Sequence, residues 1–122
     1  MARVKLQGKE YNLFLGLGAM EKIEEEFGSM KDGLKKFREE HKISTVRFFF
    51  WAMANNGRLK DGKPQDVKIE EADRFTLADL DRLAAALREA LDESTRIEVT
   101  GGGEADEEEQ DALAAEYDEK NG

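Results

Sequence analysis

The chain is 122 residues long, carries a formal net charge of −9, and contains no cysteine and one histidine. That length suffices for one domain with a packed core, and the absence of cysteine excludes disulfides, thiolate nucleophiles and cysteine-based zinc sites. Residues 1–101 hold 19 acidic and 18 basic side chains, whereas residues 102–122 hold nine acidic ones and a single lysine, so the body is nearly neutral and lacks the positive patch that nucleic-acid binding requires.

From the N-terminus, Val4 and Leu6 alternate with Arg3, Lys5 and Gln7, and Tyr11, Leu13 and Leu15 alternate with Glu10, Asn12 and Phe14. This period of two predicts a β-hairpin over residues 3–15, with Gly8-Lys9 as a type II′ turn. Met1 to Lys5 lacks the continuous apolar stretch of a signal peptide. Leu17, Met20, Ile23 and Phe27 then fall on one stripe and predict a helix stopped by Gly28. Ser29 caps a second helix, with Asp32 completing a weak capping box. This helix carries Met30, Leu34 and Phe37 inward and Lys35, Lys36, Arg38, Glu39 and Glu40 mostly outward.

Ser44 reads as the cap of a third helix, about Thr45 to Asn55, ended by Asn55-Asn56-Gly57. Val46, Phe49, Phe50 and Met53 form one stripe, and Phe48, Trp51 and Ala52 a second. A helix apolar nearly all round is the centre of its domain or part of an interface. A polar loop (58–68) and a short turn at Ile69 to Phe75 follow. Thr76-x-x-Asp79 then opens a helix with Leu77, Leu80, Leu83, Ala84, Leu87 and Leu91 inward. Arg96 to Thr100 reads as a short strand and Gly101-Gly102-Gly103 as a hinge. The longest apolar run, Phe48 to Ala54, is seven residues, far below the roughly 20 of a membrane span. A soluble, cytoplasmic protein with no membrane partner is expected.

The expected fold is mainly α: an N-terminal β-hairpin packed on a small bundle of about four helices over residues 1–94. Residues 95–122 form a linker and an acidic tail, too poor in apolar side chains to order itself.

Catalytic constellations are missing. A nucleophile–base pair would have to use His41, which sits among charged residues at a helix end. Glu24-Glu25-Glu26 and Glu39-Glu40 lie on solvated helix faces. Gly16-Leu17-Gly18 lacks the third glycine or the lysine of a phosphate-binding loop, and Asp106 to Asp111 lacks the spacing of a calcium loop. No cofactor or metal is expected, and the chain reads as a binding protein rather than an enzyme.

Two features stand out. Phe48-Phe49-Phe50-Trp51 is either core or a helix side buried against a partner or a second copy; four consecutive aromatics cover more than half a helix circumference. Phe48, Phe50, Trp51 and Met53 are the candidate contacts. In the tail, Leu113 and Tyr117 are the candidates within a segment that is either a solubilising extension or one that engages or mimics a charged partner.

The order of parts also resembles a known family. A hairpin (Val4 to Leu15) leads into Leu17-Gly18-Ala19-Met20-Glu21-Lys22-Ile23-Glu24-Glu25-Glu26-Phe27-Gly28; a short helix with Leu34 and Phe37, an aromatic helix ending in Asn56-Gly57, a polar loop and a leucine-striped helix begun by Thr76-Leu77 follow. Over residues 3–92 this is similar to the tail assembly chaperones of long-tailed bacteriophages and prophages. The resemblance implies a helical cytoplasmic protein that binds the tape measure protein, keeps it soluble and helps recruit tail tube protein. It also implies a longer frameshifted form in many members, and it transfers no individual residue role. The other function class open to the chain is a generic adaptor or regulator whose acidic tail mimics nucleic acid.

Overall fold

A computed structural model describes residues 2–99 of the protein, with side chains described through Ser94. Strands β1 (Ala2–Leu6) and β2 (Lys9–Leu13) pair antiparallel, with Val4 opposite Tyr11 and Leu6 opposite Lys9. The turn between them is Gln7-Gly8, and both residues have positive φ, 51° and 79°. That is the signature of a type I′ turn, whose twist matches the strands. The expected Gly8-Lys9 turn is thus shifted by one residue, because Lys9 is already paired.

The helices are α1 (Leu17–Phe27), α2 (Met30–Lys35), α3 (Ile43–Lys60) and α4 (Leu77–Val99). A π-helical turn (Lys36–Glu40) extends α2 and ends at His41, which is exposed and left-handed with φ 52°. A 3-10 turn (Ile69–Arg74) precedes α4. The mainly α fold with its N-terminal hairpin is therefore as expected. Residues 96–99, read as strand, continue α4 instead. The linker and tail from Thr100 onward, with the disorder expected there, lie outside the described residues.

Capping at Ser29 and Thr76 is as the sequence predicts. Ser29 Oγ accepts from the Asp32 N–H at 3.0 Å. Thr76 and Asp79 exchange backbone-to-side-chain bonds of 2.9 and 3.2 Å at the start of α4. Leu17 and Leu77, expected inward, are instead 81% and 76% exposed. Each is the first residue of its helix, where the Cβ tilts back past the helix end and finds nothing to pack on.

The architecture centres on α3. The hairpin lays β1 against α4, and β2 runs along α3. Among the described residues no third strand joins the outer edge of β2; α3 covers it. Phe14 N–H donates to the Met53 carbonyl at 3.1 Å, and a Cβ built on Gly57 would stand 1.7 Å from the Asn12 carbonyl oxygen. Gly57 therefore permits helix and strand backbones to touch, and α3 continues three residues past it. The expected helix stop at Asn55-Asn56-Gly57 is wrong, and all three residues are buried.

The two asparagines act as clamps. Asn55 Oδ1 accepts from the Val67 N–H at 2.9 Å and its Nδ2 donates to the Val67 carbonyl at 3.0 Å, an imitation of strand pairing that ties down the 61–68 loop. Asn56 Oδ1 accepts from the backbone N–H groups of Gly16 (2.7 Å) and Ala19 (3.3 Å). It thereby caps α1, whose own N-cap, Gly16, has no side chain to do so.

Candidate functional site

The aromatic run of α3 is divided among its neighbours. Phe49 has no exposed surface and meets Phe37 of the π-helical turn and Phe27 of α1, with ring centroids 4.9 and 5.8 Å away. Phe50, also fully buried, points the other way, edge-on to Tyr11 of β2 and Phe75, at 5.0 and 5.2 Å. Met53 is likewise fully buried. Phe50 and Met53, named as candidate contacts, are thus corrected to core: successive helix positions turn by about 100°, and the hairpin takes that side.

Phe48 and Trp51 are half-buried and remain in contact with solvent. Their rings lie 5.5 Å apart, Phe48 meets Phe27 edge-on at 5.5 Å, and Lys22 Nζ sits 5.2 Å over the Trp51 ring. Arg47 flanks them: its Nε donates to the Ile69 carbonyl at 3.4 Å, and its guanidinium pairs with Asp73. Ile43, eight residues before Trp51 on the same helix, is 65% exposed. Reading Ser44 as the cap had left Ile43 in the loop; α3 begins there, without a side-chain cap. The result is a small apolar patch of Phe48 and Trp51 edged by Lys22 and Arg47, with exposed Ile43 on the far side of Arg47. Leu113 and Tyr117 lie outside the described residues.

A second feature was not visible in the sequence. A cleft of about 360 Å³ opens between the hairpin turn and the 3-10 turn, lined by residues including Gln7, Lys9, Tyr11, Glu71, Arg74 and Phe75. Glu71 lines it. One carboxylate oxygen accepts from Tyr11 Oη (2.8 Å) and Lys9 Nζ (2.9 Å), and the other from the Lys68 N–H (2.9 Å). Burial works against the charged carboxylate, but the Lys68 N–H, Lys9 and Tyr11 together hold it below its ordinary pKa. Burial first, and then the bond to Glu71, push the Tyr11 phenol well above its ordinary range. A carboxylate so fully occupied is a clamp between hairpin and turn rather than an available base.

Asp79 makes a similar knot on the other side of the hairpin turn. It is 2% exposed. It accepts from the Thr76 N–H, from Gln7 Nε2 at 2.6 Å, and from the Arg82 guanidinium. The Thr76 N–H first, with Gln7 and Arg82, holds its carboxyl well below the usual range against the opposing effect of burial.

Among the described residues, no group of three or more His, Asp or Glu side chains is arranged to hold a metal ion, and no helix is long and apolar enough to cross a membrane. Compared with known proteins, the chain matches no family model, no curated protein and no solved structure.

Proposed function

We propose that the protein is a tail assembly chaperone of a long-tailed phage or prophage. It is a non-catalytic cytoplasmic protein that binds the tape measure protein and helps recruit tail tube subunits. The observation that carries this reading is the patch on α3. Phe48 and Trp51, with Ile43 two turns before Trp51, meet solvent on a helix whose middle is otherwise packed, and an apolar patch of that kind suits the apolar face of a long helical client. The element order over residues 3–92, in which the resemblance lies, supports it as well.

Co-expression with a tape measure protein tests the proposal. A soluble complex that co-elutes on size exclusion is expected, and Trp51→Ala should weaken it while leaving the far-UV circular dichroism of the free protein unchanged. A client that stays insoluble, with no co-eluting complex, rules the proposal out.

A further inference from the structure

The hairpin turn decides which backbone groups of β1 face β2 and which face outward. In a two-residue hairpin the residues flanking the turn, here Leu6 and Lys9, exchange both backbone bonds, and bonded and non-bonded pairs then alternate along the strands. Val4–Tyr11 and Ala2–Leu13 are therefore bonded pairs, whereas Lys5–Glu10 and Arg3–Asn12 are not. On β2 the outward groups are in use: the Asn12 carbonyl lies against Gly57, and the Phe14 N–H donates to Met53. On β1 the outward groups are the N–H and C=O of Arg3 and of Lys5. Among the described residues, none of these groups has a hydrogen-bond partner. Buried backbone groups are almost always paired, so this edge is solvated. The side chains agree. Ala2 and Leu6 are buried on the side where α4 packs, and Arg3 and Lys5 are exposed. Val4, on the same side as Ala2 and Leu6, is left half-buried.

We propose that the outer edge of β1 binds an extended segment of a partner protein, which joins the hairpin as an antiparallel strand with a carboxylate opposite Lys5. The partner residues opposite Arg3 and Lys5 each exchange two backbone bonds with them, and the residue between turns inward over Val4. Their side chains share the exposed face with those of Arg3 and Lys5. On that face Arg3 is already held by Asp61 and Glu10, at 3.3 and 3.6 Å, whereas Lys5 has no ion-pair partner among the described residues. An acidic side chain opposite Lys5 supplies that partner. A second copy of the chain does not fit. The outward groups belong to odd-numbered residues, so every antiparallel self-pairing sets Arg3 or Lys5 opposite Arg3 or Lys5 of the other copy, and like charges directly opposite are destabilising. The lysine that discourages indiscriminate edge pairing thereby selects the partner. The site uses none of Ile43, Phe48 or Trp51 and stands apart from the chaperone reading.

The probe is the peptide acetyl-Ser-Glu-Val-Thr-Ser-amide, titrated into the isotope-labelled full-length protein and followed by NMR. In the free protein the Arg3 and Lys5 amides should exchange rapidly with deuterated water, and the Val4 and Leu6 amides slowly. The peptide should shift the Arg3 and Lys5 amide signals and slow their exchange, with little effect on Val4 and Leu6. Lys5→Glu, at an exposed position, should weaken the peptide about tenfold. The same peptide with lysine in place of glutamate should then bind this variant better than it binds the parent. A peptide methylated on the glutamate and threonine backbone nitrogens loses both inward donors and should not bind. No shift at millimolar peptide, shifts centred on another surface, or equal binding of the methylated or the lysine peptide to the parent overturns the proposal. So does slow exchange at Arg3 and Lys5 before any peptide is added. If that slowing grows with protein concentration, the edge is pairing with a second copy instead.

Discussion

Replacing Gly57 by alanine should damage this protein badly, although the same change inside an ordinary helix stabilises it. The added Cβ would lie 1.7 Å from the Asn12 carbonyl oxygen, 2.6 Å from its carbon and 3.1 Å from its Cβ. A carbon–oxygen contact needs about 3.3 Å, so α3 and β2 must part by roughly 1.6 Å. The opposing atoms are backbone atoms of a paired strand, which no rotamer change can move aside. Separation stretches the Phe14–Met53 backbone bond and the Asn12 Nδ2 to Gly57 carbonyl bond, now 3.1 and 3.4 Å. It also opens the fully buried layer that includes Leu13 and Met53. Overpacking of this kind costs about 1–3 kcal/mol and a lost hydrogen bond about 1 kcal/mol. The gain in helix propensity returns about 1 kcal/mol. A net loss of about 1–3 kcal/mol corresponds to a fall in Tm on the order of 5–20 °C for a domain of this size. Thermal unfolding followed by circular dichroism measures it. A Tm equal to or above that of the parent would mean that propensity alone governs the site, and that helix and strand do not touch as described.

The other predictions concern the polar clamps. Asn56→Ala strips the N–H groups of Gly16 and Ala19 of their acceptor and should cost about 1–2 kcal/mol in urea unfolding; Asn56→Asp keeps an accepting oxygen at a helix N-terminus and should lose less. An Asn56→Ala chain as stable as the parent would remove Asn56 as the cap of α1. Asp79 is held below its ordinary pKa, so its contribution is complete above the unfolded value of about 3.9 and disappears as pH falls below it. Asp79→Asn should therefore flatten the acid side of a stability–pH profile, and an unchanged slope there would contradict the assignment. Tyr11 is shifted upward, so its contribution is complete below the unfolded value of about 10 and is lost as pH rises beyond it. Tyr11→Phe should flatten that alkaline limb, and a limb equally steep without the phenol would exclude Tyr11 as its source.

What the sequence revealed and what it hid divide by distance along the chain. The Ser29 and Thr76 caps were legible because donor and acceptor lie three residues apart, and the strands were legible through their period of two. Asn55, Asn56 and Gly57 were misread because that tripeptide is also good helix-stop chemistry. Their partners are Val67, the start of α1 and Asn12, between 12 and 45 residues away; nothing local says that they exist. The hairpin turn moved for a related reason. Gly8 tolerates either central position of a two-residue turn, and only the pairing of Leu6 with Lys9 places it second.

The aromatic run shows the same limit, and resolving it constrains function. Periodicity gave two stripes on α3 but not which neighbour would cover each. The structure gives Phe49 to α1 and the π-helical turn and Phe50 to the hairpin, and leaves Phe48 and Trp51 half-covered between α1 and the 3-10 turn. Aromatic side chains bury about 150–250 Å² each when fully enclosed. Two that are already half-covered, with Ile43, can therefore offer a partner only a few hundred Å². A stable one-to-one interface takes about 800 Å² from each side. If this patch is the client surface, affinity must come from repetition, with several copies of the chain bound along one extended client. Light scattering on the co-eluting complex should then report more than one copy per client, and a tight one-to-one complex would show that a larger surface than the α3 patch is at work.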